Sequence, residues 1–352
     1  MKEINIQKLV KPSVRTLRAY EAKEISCKVK LDANESPYAF DRGLLNILKK
    51  VKTNRYPDPE AKELRRLIGK RFGVSPDTIL QGNGSDELIY YLIATFGGPV
   101  LYPVPTFSMY GIIARALGEK PLPIPLDREF DIDLERTVKA VRREKPKLIF
   151  LSSPNNPTGN CFSAEKMLKI VEASKGIVVV DEAYQPFSSK KGFLPLLKDY
   201  RNLVIMRTLS KIGLAALRLG FLIADAEIIG EVNKVRLPFN VNALSQAIGA
   251  KALKDNRILN SSINTIVSER RRLSNEMGKI KSITPFPSEA NFILFRTGDP
   301  EALYHGLLRR GVLVRNLNNA IEGCLRVTVG TPAENTIFLK AVKEALHEKG
   351  KG

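Results

Sequence analysis

The chain has 352 residues and contains no tryptophan, only two histidines and only three cysteines. His305 and His347 are too few for a histidine-based metal cluster, and no carboxylate spacing argues for an oxygen-ligand site. No metal is therefore expected. Cys27, Cys161 and Cys324 are far apart, odd in number and never paired as CxxC. That excludes a disulfide framework and fits a reducing cytosol. No apolar run reaches the ~18 residues that would suggest a membrane span. The opening MKEINIQKLVKPS carries an acid and no apolar stretch, unlike a signal peptide. A cytoplasmic protein without membrane contact is expected. Glycine and proline are dispersed, and there is no repeat or low-complexity tract, so disordered and collagenous classes are out.

What is present is a well-supplied core and a large positive charge. Hydrophobic residues make up 43% of the chain, charged residues 26%, and the formal net charge is +19. Length suggests about two domains. The charge has three readings: a basic nucleic-acid-binding protein, attraction of anionic small molecules, or a solvated surface suited to heat. Lysine and arginine are spread along the chain rather than clustered in a tail, and no zinc-finger spacing, RNP-like strand or basic zipper appears. Small-molecule partners are expected, and no nucleic acid.

Short apolar runs alternate with helical patterns. Strands are expected at residues 78–81, 100–102, 147–152, 177–180, 203–206 and 218–224, with a helix at 88–96, and helical or turn signals at 164–174 and 195–200. Near-continuous β-branched strands separated by helices imply an α/β fold with a largely parallel sheet covered on both faces. After Ala247 the character changes. A long helical region at 253–279 is followed by strands at 291–296, 313–316 and 325–329 and helices at 302–310 and 334–349, a smaller α+β unit. The expected division is an arm and small-domain contribution at 1–46, a large domain at 47–249 and a small domain at 250–352.

Three chemically distinct residues fall at strand ends. Asn156 follows LIFLSSPN, Asp181 ends IVVVD and Lys211 follows VIMRTLS. In a parallel sheet those carboxyl ends share one edge, where ligands bind. An amine buried there needs a partner or a covalent role. A Schiff-base lysine with an aspartate pairing a pyridinium nitrogen is the arrangement pyridoxal phosphate requires. Gly82-Asn83-Gly84-Ser85-Asp86 lies between a strand and a helix, so its amides and the helix N-terminus suit a phosphate. Thr208, Ser210 and Arg218 flank the lysine and add hydroxyls and a guanidinium fork. Singly, each has an ordinary reading: GNGS as a turn, Asp181 as a helix cap, SPNNPTG as a loop, Lys211 as a surface amine. Their order and placement change the balance.

These segments resemble the fold-type I pyridoxal phosphate aminotransferases, and among them the histidinol-phosphate subfamily. The matching stretches are LDANESPY, RYPD, QGNGSDE, PTFSMY, SPNNPTG, VVDEAY, RTLSK, LRLGF, RLPFNVN, SEANFILF and RVTVGT, in order over nearly the whole chain. The resemblance implies a large domain with a mostly parallel seven-stranded sheet between helices, plus the smaller α+β domain. It implies pyridoxal 5′-phosphate carried by Lys211, with Asp181 on the ring nitrogen, Asn156 and Tyr184 on the ring oxygen, and Phe107 stacked on the ring. Gly84, Ser85, Asp86, Thr208, Ser210 and Arg218 then surround the phosphate. Tyr56 reaches the neighbouring subunit's site, which implies a homodimer. Tyr20, Asn34, Arg315 and Arg326 fall at the substrate, with the arginines on its anionic end.

Some positions depart from the common pattern. Phe107 stands where many relatives have Tyr or Trp, Ala216 where glycine is common, and Phe239 where Tyr is usual; the Lys211–Arg218 interval is one residue shorter than in many relatives. The implied reaction transfers an amino group from L-glutamate to imidazole-acetol phosphate, giving L-histidinol phosphate and 2-oxoglutarate. The alternatives are an aromatic or broad-specificity aminotransferase and a threonine-phosphate decarboxylase.

Overall fold

A computed structural model describes residues 4–19, 25–40, 44–255 and 257–349; the expected substrate residue Tyr20 lies outside them. Among the described residues twelve strands form two sheets: β1 (Val29–Leu31), β2 (Ile79–Asn83), β3 (Val100–Val104), β4 (Pro121–Pro125), β5 (Leu148–Ser152), β6 (Ile177–Asp181), β7 (Leu203–Thr208), β8 (Leu219–Ala224), β9 (Ile283–Pro285), β10 (Phe292–Thr297), β11 (Val312–Asn316) and β12 (Cys324–Thr328).

The large sheet has seven strands in the order β2-β8-β7-β6-β5-β3-β4. Every residue of β5 and β8 is buried, as apolar strands covered by helices on both faces should be. All strands run parallel except β8, which is antiparallel to both β7 and β2. Residues 209–218 are too few for a parallel crossover, which takes about a dozen or more, so the chain folds straight back. The turn that reverses it carries Lys211. β4, PLPIP, was not expected from the sequence; its prolines suit the sheet edge, where missing ladder donors cost least.

The strand order reverses direction between β3 and β5, which makes the crevice above their carboxyl ends the place for a ligand. There Thr106 Oγ1, just beyond β3, donates to Asn155 Oδ1, just beyond β5, at 2.6 Å. The helix Ser85–Phe96 follows β2 through Gly84, whose φ of +87° is open to glycine at little cost.

The second sheet has the order β1-β11-β12-β10-β9. β1 comes from the N-terminal region yet pairs in parallel with β11, so the first part of the chain completes a sheet made mainly by the last part. The expected helical region at 253–279 is the helix Arg257–Gly278, and the helix Ala243–Lys254 precedes it. Asn242 caps the helix Ala243–Lys254 by accepting from the Ser245 amide. Among the described residues no helix is long and apolar enough to cross a membrane, and no group of three His, Cys, Asp or Glu could hold a metal ion.

Candidate active site

β5, β6 and β7 lie side by side and parallel, so their carboxyl ends deliver Asn156, Asp181 and Lys211 to one edge of the sheet. Lys211 sits in the single turn of 3-10 helix Ser210–Ile212 after β7. Its Nζ is 5.8 Å from the ring centre of Tyr184, which follows β6.

Asp181 is buried. Its Oδ2 accepts a 2.6 Å hydrogen bond from the Tyr110 hydroxyl, and its Oδ1 accepts from the Ala183 amide at 3.0 Å. Burial pushes its carboxyl up to about 6, and the charge of Asp86 adds to the rise. The two hydrogen bonds and the charge of Lys211 act against it. Tyr110 is itself buried, and that burial with the adjacent Asp181 raises its hydroxyl well above the ordinary range, so it stays a donor. Its ring stacks on Phe150 of β5 at 4.7 Å, and Phe107 meets it edge-on at 5.7 Å.

The phosphate-type cradle closes around Arg218. This residue has φ +51°, and the backbone there aims its guanidinium back across the loop. Nη2 donates to Asp86 Oδ2 at 3.1 Å and Nη1 to Ser210 Oγ at 3.4 Å. A Cβ at Gly84 would come within 2.5 Å of the Arg218 Nη2. Only glycine therefore leaves the guanidinium beside the Gly84-Ser85 amides. Thr208 Oγ1 donates to Ser210 Oγ and accepts from the Ser210 amide, both at 3.0 Å. Two hydroxyls, a guanidinium and a helix N-terminus thus meet on one side of Lys211, and a buried carboxylate lies at the base of the crevice. That donor set fits a pyridine ring carrying a phosphate. Asp86 is the exception: it balances Arg218 and would repel an anion.

The small sheet supplies the opposite wall. Arg326 of β12 is buried; Nη1 donates to Asn156 Oδ1 at 2.5 Å and Nη2 to the Asp32 carbonyl at 2.6 Å. Arg315 of β11 is directly opposite Arg326 in the antiparallel pair, so both guanidinium stems leave the same face of the sheet. Arg315 is exposed. Asn34, at φ +56° and buried, donates from Nδ2 to the Tyr184 hydroxyl at 3.0 Å. Its amide donates to Thr328 Oγ1, and its carbonyl accepts from Asn291 Nδ2, each at 3.0 Å. Tyr56 is 81% exposed and stacks on Phe239 with ring centres 4.6 Å apart.

Sequence reading missed Tyr110, which lies within PTFSMY without any spacing that marks it. It also missed Glu182. This buried acid accepts from Arg207 Nε and Nη2 at 2.8 and 2.6 Å and from the Phe193 amide at 2.6 Å. An acid beside Asp181 in DEAY and an arginine opening RTLSK could have suggested that pair once β6 and β7 were taken as neighbours.

A seven-stranded sheet with one reversed strand, and a lysine turn facing a buried aspartate, define the fold-type I architecture of the pyridoxal phosphate aminotransferases. The aminotransferase class I and II family profile matches residues 21–342. The histidinol-phosphate aminotransferase of Aquifex aeolicus is 45% identical over 350 residues, covering 96% of this chain and 98% of that one. The crystal structure of the histidinol-phosphate aminotransferase from Clostridium acetobutylicum superposes with a TM-score of 0.84 at 27% identity, covering 91% of this chain and 99% of that chain. That from Sinorhizobium meliloti, in complex with pyridoxal-5′-phosphate, gives 0.87 at 24% identity over 96% and 98%, a likeness of fold. The chain belongs to the class I and II aminotransferases, and within them to the histidinol-phosphate aminotransferases.

Proposed function

We propose that the chain uses pyridoxal 5′-phosphate to transfer the amino group of L-glutamate to imidazole-acetol phosphate, giving L-histidinol phosphate and 2-oxoglutarate in the cytoplasm. The observation that carries this reading is the pair Arg315 and Arg326 on one face of the small sheet, with Arg326 bonded to Asn156 at the sheet edge. Two guanidinium forks suit a phosphate, and the buried one suits the carboxylate of glutamate when the other substrate is absent. One site can thus take two unlike substrates by the anionic end each presents.

The cofactor, when bound, supplies the electron sink that lets a Cα–H bond ionise. The chain does the rest. Asp181, held by Tyr110 and Ala183, is the carboxylate that keeps a proton on a ring nitrogen. Asn156 accepts from Arg326, which leaves its Nδ2 to donate to the ring oxygen beside the Tyr184 hydroxyl. Asn34 orients that hydroxyl. Gly84, Ser85, Thr208, Ser210 and Arg218 hold the phosphate, and Phe107 covers the ring. Lys211 Nζ anchors the cofactor and is the base that takes and returns the substrate Cα proton.

The chain acts as a homodimer in this reading. Tyr56, Leu237, Phe239 and Leu244 leave an exposed apolar patch around a depression of ≈ 810 Å³, and a second subunit would cover it while bringing Tyr56 to the partner's site.

The test is the visible spectrum of the cofactor-loaded protein, titrated with L-histidinol phosphate, L-phenylalanine, L-glutamate and L-threonine phosphate. Loss of the lysine-bound cofactor band at the lowest concentration of histidinol phosphate, restored by 2-oxoglutarate, is expected. The same cycle with phenylalanine and not histidinol phosphate would move the specificity to amino acids. Carbon dioxide release from threonine phosphate would make the chain a decarboxylase. Full turnover by Lys211→Ala would remove the mechanism.

A further inference from the structure

A cavity of ≈ 450 Å³ adjoins the lysine turn; neither Lys211 nor Asn156, Asp181, Arg218, Arg315 or Arg326 lines it. Its wall includes Thr208, Leu209 and Ile212, the chain on either side of Lys211. Its volume is within the range of small-ligand sites, roughly 300–1,000 Å³. Phe72 and Phe221 form an apolar floor, and two arginines, Arg71 and Arg207, line the polar part. Asn260 and Asn264, four residues apart on the helix Arg257–Gly278, set two amides at the mouth.

The charges in this cavity do not balance. Arg207 is satisfied twice by Glu182, through Nε and Nη2, and its guanidinium lies 4.5 Å from the centre of the Phe72 ring. Glu182, which also lines the cavity, accepts from the Phe193 amide as well, so three of its roughly four acceptor positions are taken and its single charge faces two arginines. Arg71 has no hydrogen-bond acceptor and no carboxylate among the described residues, and its Nη1 is buried without a partner. Burial, and next the charge of Arg207, lower the Arg71 guanidinium below its ordinary value. A half-buried cation facing a second cation across a formed cavity is costly unless an anion joins them.

We propose that this cavity is a second binding site, separate from the substrate site, for a small oxyanion of the carboxylate or phosphate class held chiefly by Arg71. A planar guanidinium matches two oxygens of either group, Asn260 and Asn264 add amide donors, and the phenylalanine floor accepts a short carbon stem. The occupant rests against the segment that carries Thr208 and Ser210. It therefore stiffens the lysine turn without entering the crevice.

The experiment uses the cofactor-loaded protein, titrated by calorimetry with inorganic phosphate and, separately, with malonate, and followed by thermal melting. Two classes of phosphate site are expected, one at the substrate arginines and one here. Arg71→Met keeps the apolar stem and removes the charge. It should weaken the second class by at least about tenfold, raise the melting temperature in anion-free buffer, and leave the first class intact. Arg315→Gln should weaken the first class and leave the second intact. Asn264→Asp provides an internal carboxylate, and it should raise the melting temperature while removing the second class. Malonate binding without phosphate binding at this class assigns carboxylates; the opposite assigns phosphates. A single class of sites for phosphate and for malonate alike, lost on Arg315→Gln, or two classes unchanged by both Arg71→Met and Asn264→Asp, overturns the proposal.

Discussion

Asp181→Asn in the cofactor-free chain is the substitution whose consequence can be worked furthest from the structure. The Asp181 carboxyl rises from 3.8 to about 6, chiefly because burial penalises its charge. The folded state therefore binds a proton more tightly than the unfolded chain does. Stability contributed by that proton is fully present below the unfolded value and is lost as pH rises through the folded value. A rise of roughly two units corresponds to roughly 3 kcal/mol lost from about pH 4 to about pH 7. Asparagine cannot ionise, so this part of the pH dependence disappears. Its carbonyl still accepts the Tyr110 hydroxyl; the bond from the Ala183 amide is sacrificed, a cost of about 1 kcal/mol that does not vary with pH. Urea melts of cofactor-free wild type and variant at about pH 4.5 and about pH 7.5 isolate the effect, because every other titrating group is shared. The wild type should lose roughly 2 kcal/mol more than the variant over this interval, the rest of the roughly 3 kcal/mol falling below about pH 4.5. Parallel pH profiles would mean that Asp181 is not the strained acid described here. In the loaded protein the order reverses: a cationic ring nitrogen relieves the buried carboxylate, and the variant should hold cofactor far more weakly.

Three further outcomes are expected. Tyr110→Phe removes a hydrogen bond to a buried charge, worth about 1.5–3 kcal/mol; cofactor retention in dialysis should fall about tenfold or more, with the pH midpoint of the visible spectrum shifted. Glu182→Ala strands the Arg207 charge and the Phe193 amide, and should cost about 3–5 kcal/mol in denaturant unfolding. Tyr56→Ala with Phe239→Ala removes the exposed stack at 4.6 Å. Gel filtration should then show a weakened dimer together with reduced turnover; an unchanged dimer with full activity would place the subunit contact elsewhere.

Much of the fold was legible because its signals are local. LIFLS, IVVVD and LVIMRT are buried on both faces, and that burial is written as continuous apolar runs. The strand-end positions of Asn156, Asp181 and Lys211 followed from the same runs. The reversal of β8 was less visible, since direction depends on how many residues link two strands. β1 was not visible at all: three residues pair with a strand nearly three hundred positions away, and no local pattern encodes that.

The sequence by itself determined which residues could do chemistry: a lysine, an aspartate, an asparagine and a glycine-rich turn, each following an apolar strand. It determined the architecture as well, because periodicity and residue type act over a few neighbours. Only the tertiary structure decided what those groups feel. Asp181 is strained because packing removes it from water and the bonds from Tyr110 and Ala183 offset only part of that cost, and Arg326 reaches Asn156 because the small sheet folds onto the large one. Arg71 is left facing Arg207 for the same kind of reason. Desolvation and charge pairing act through space, between residues far apart in the chain, and exist only once the layers have packed.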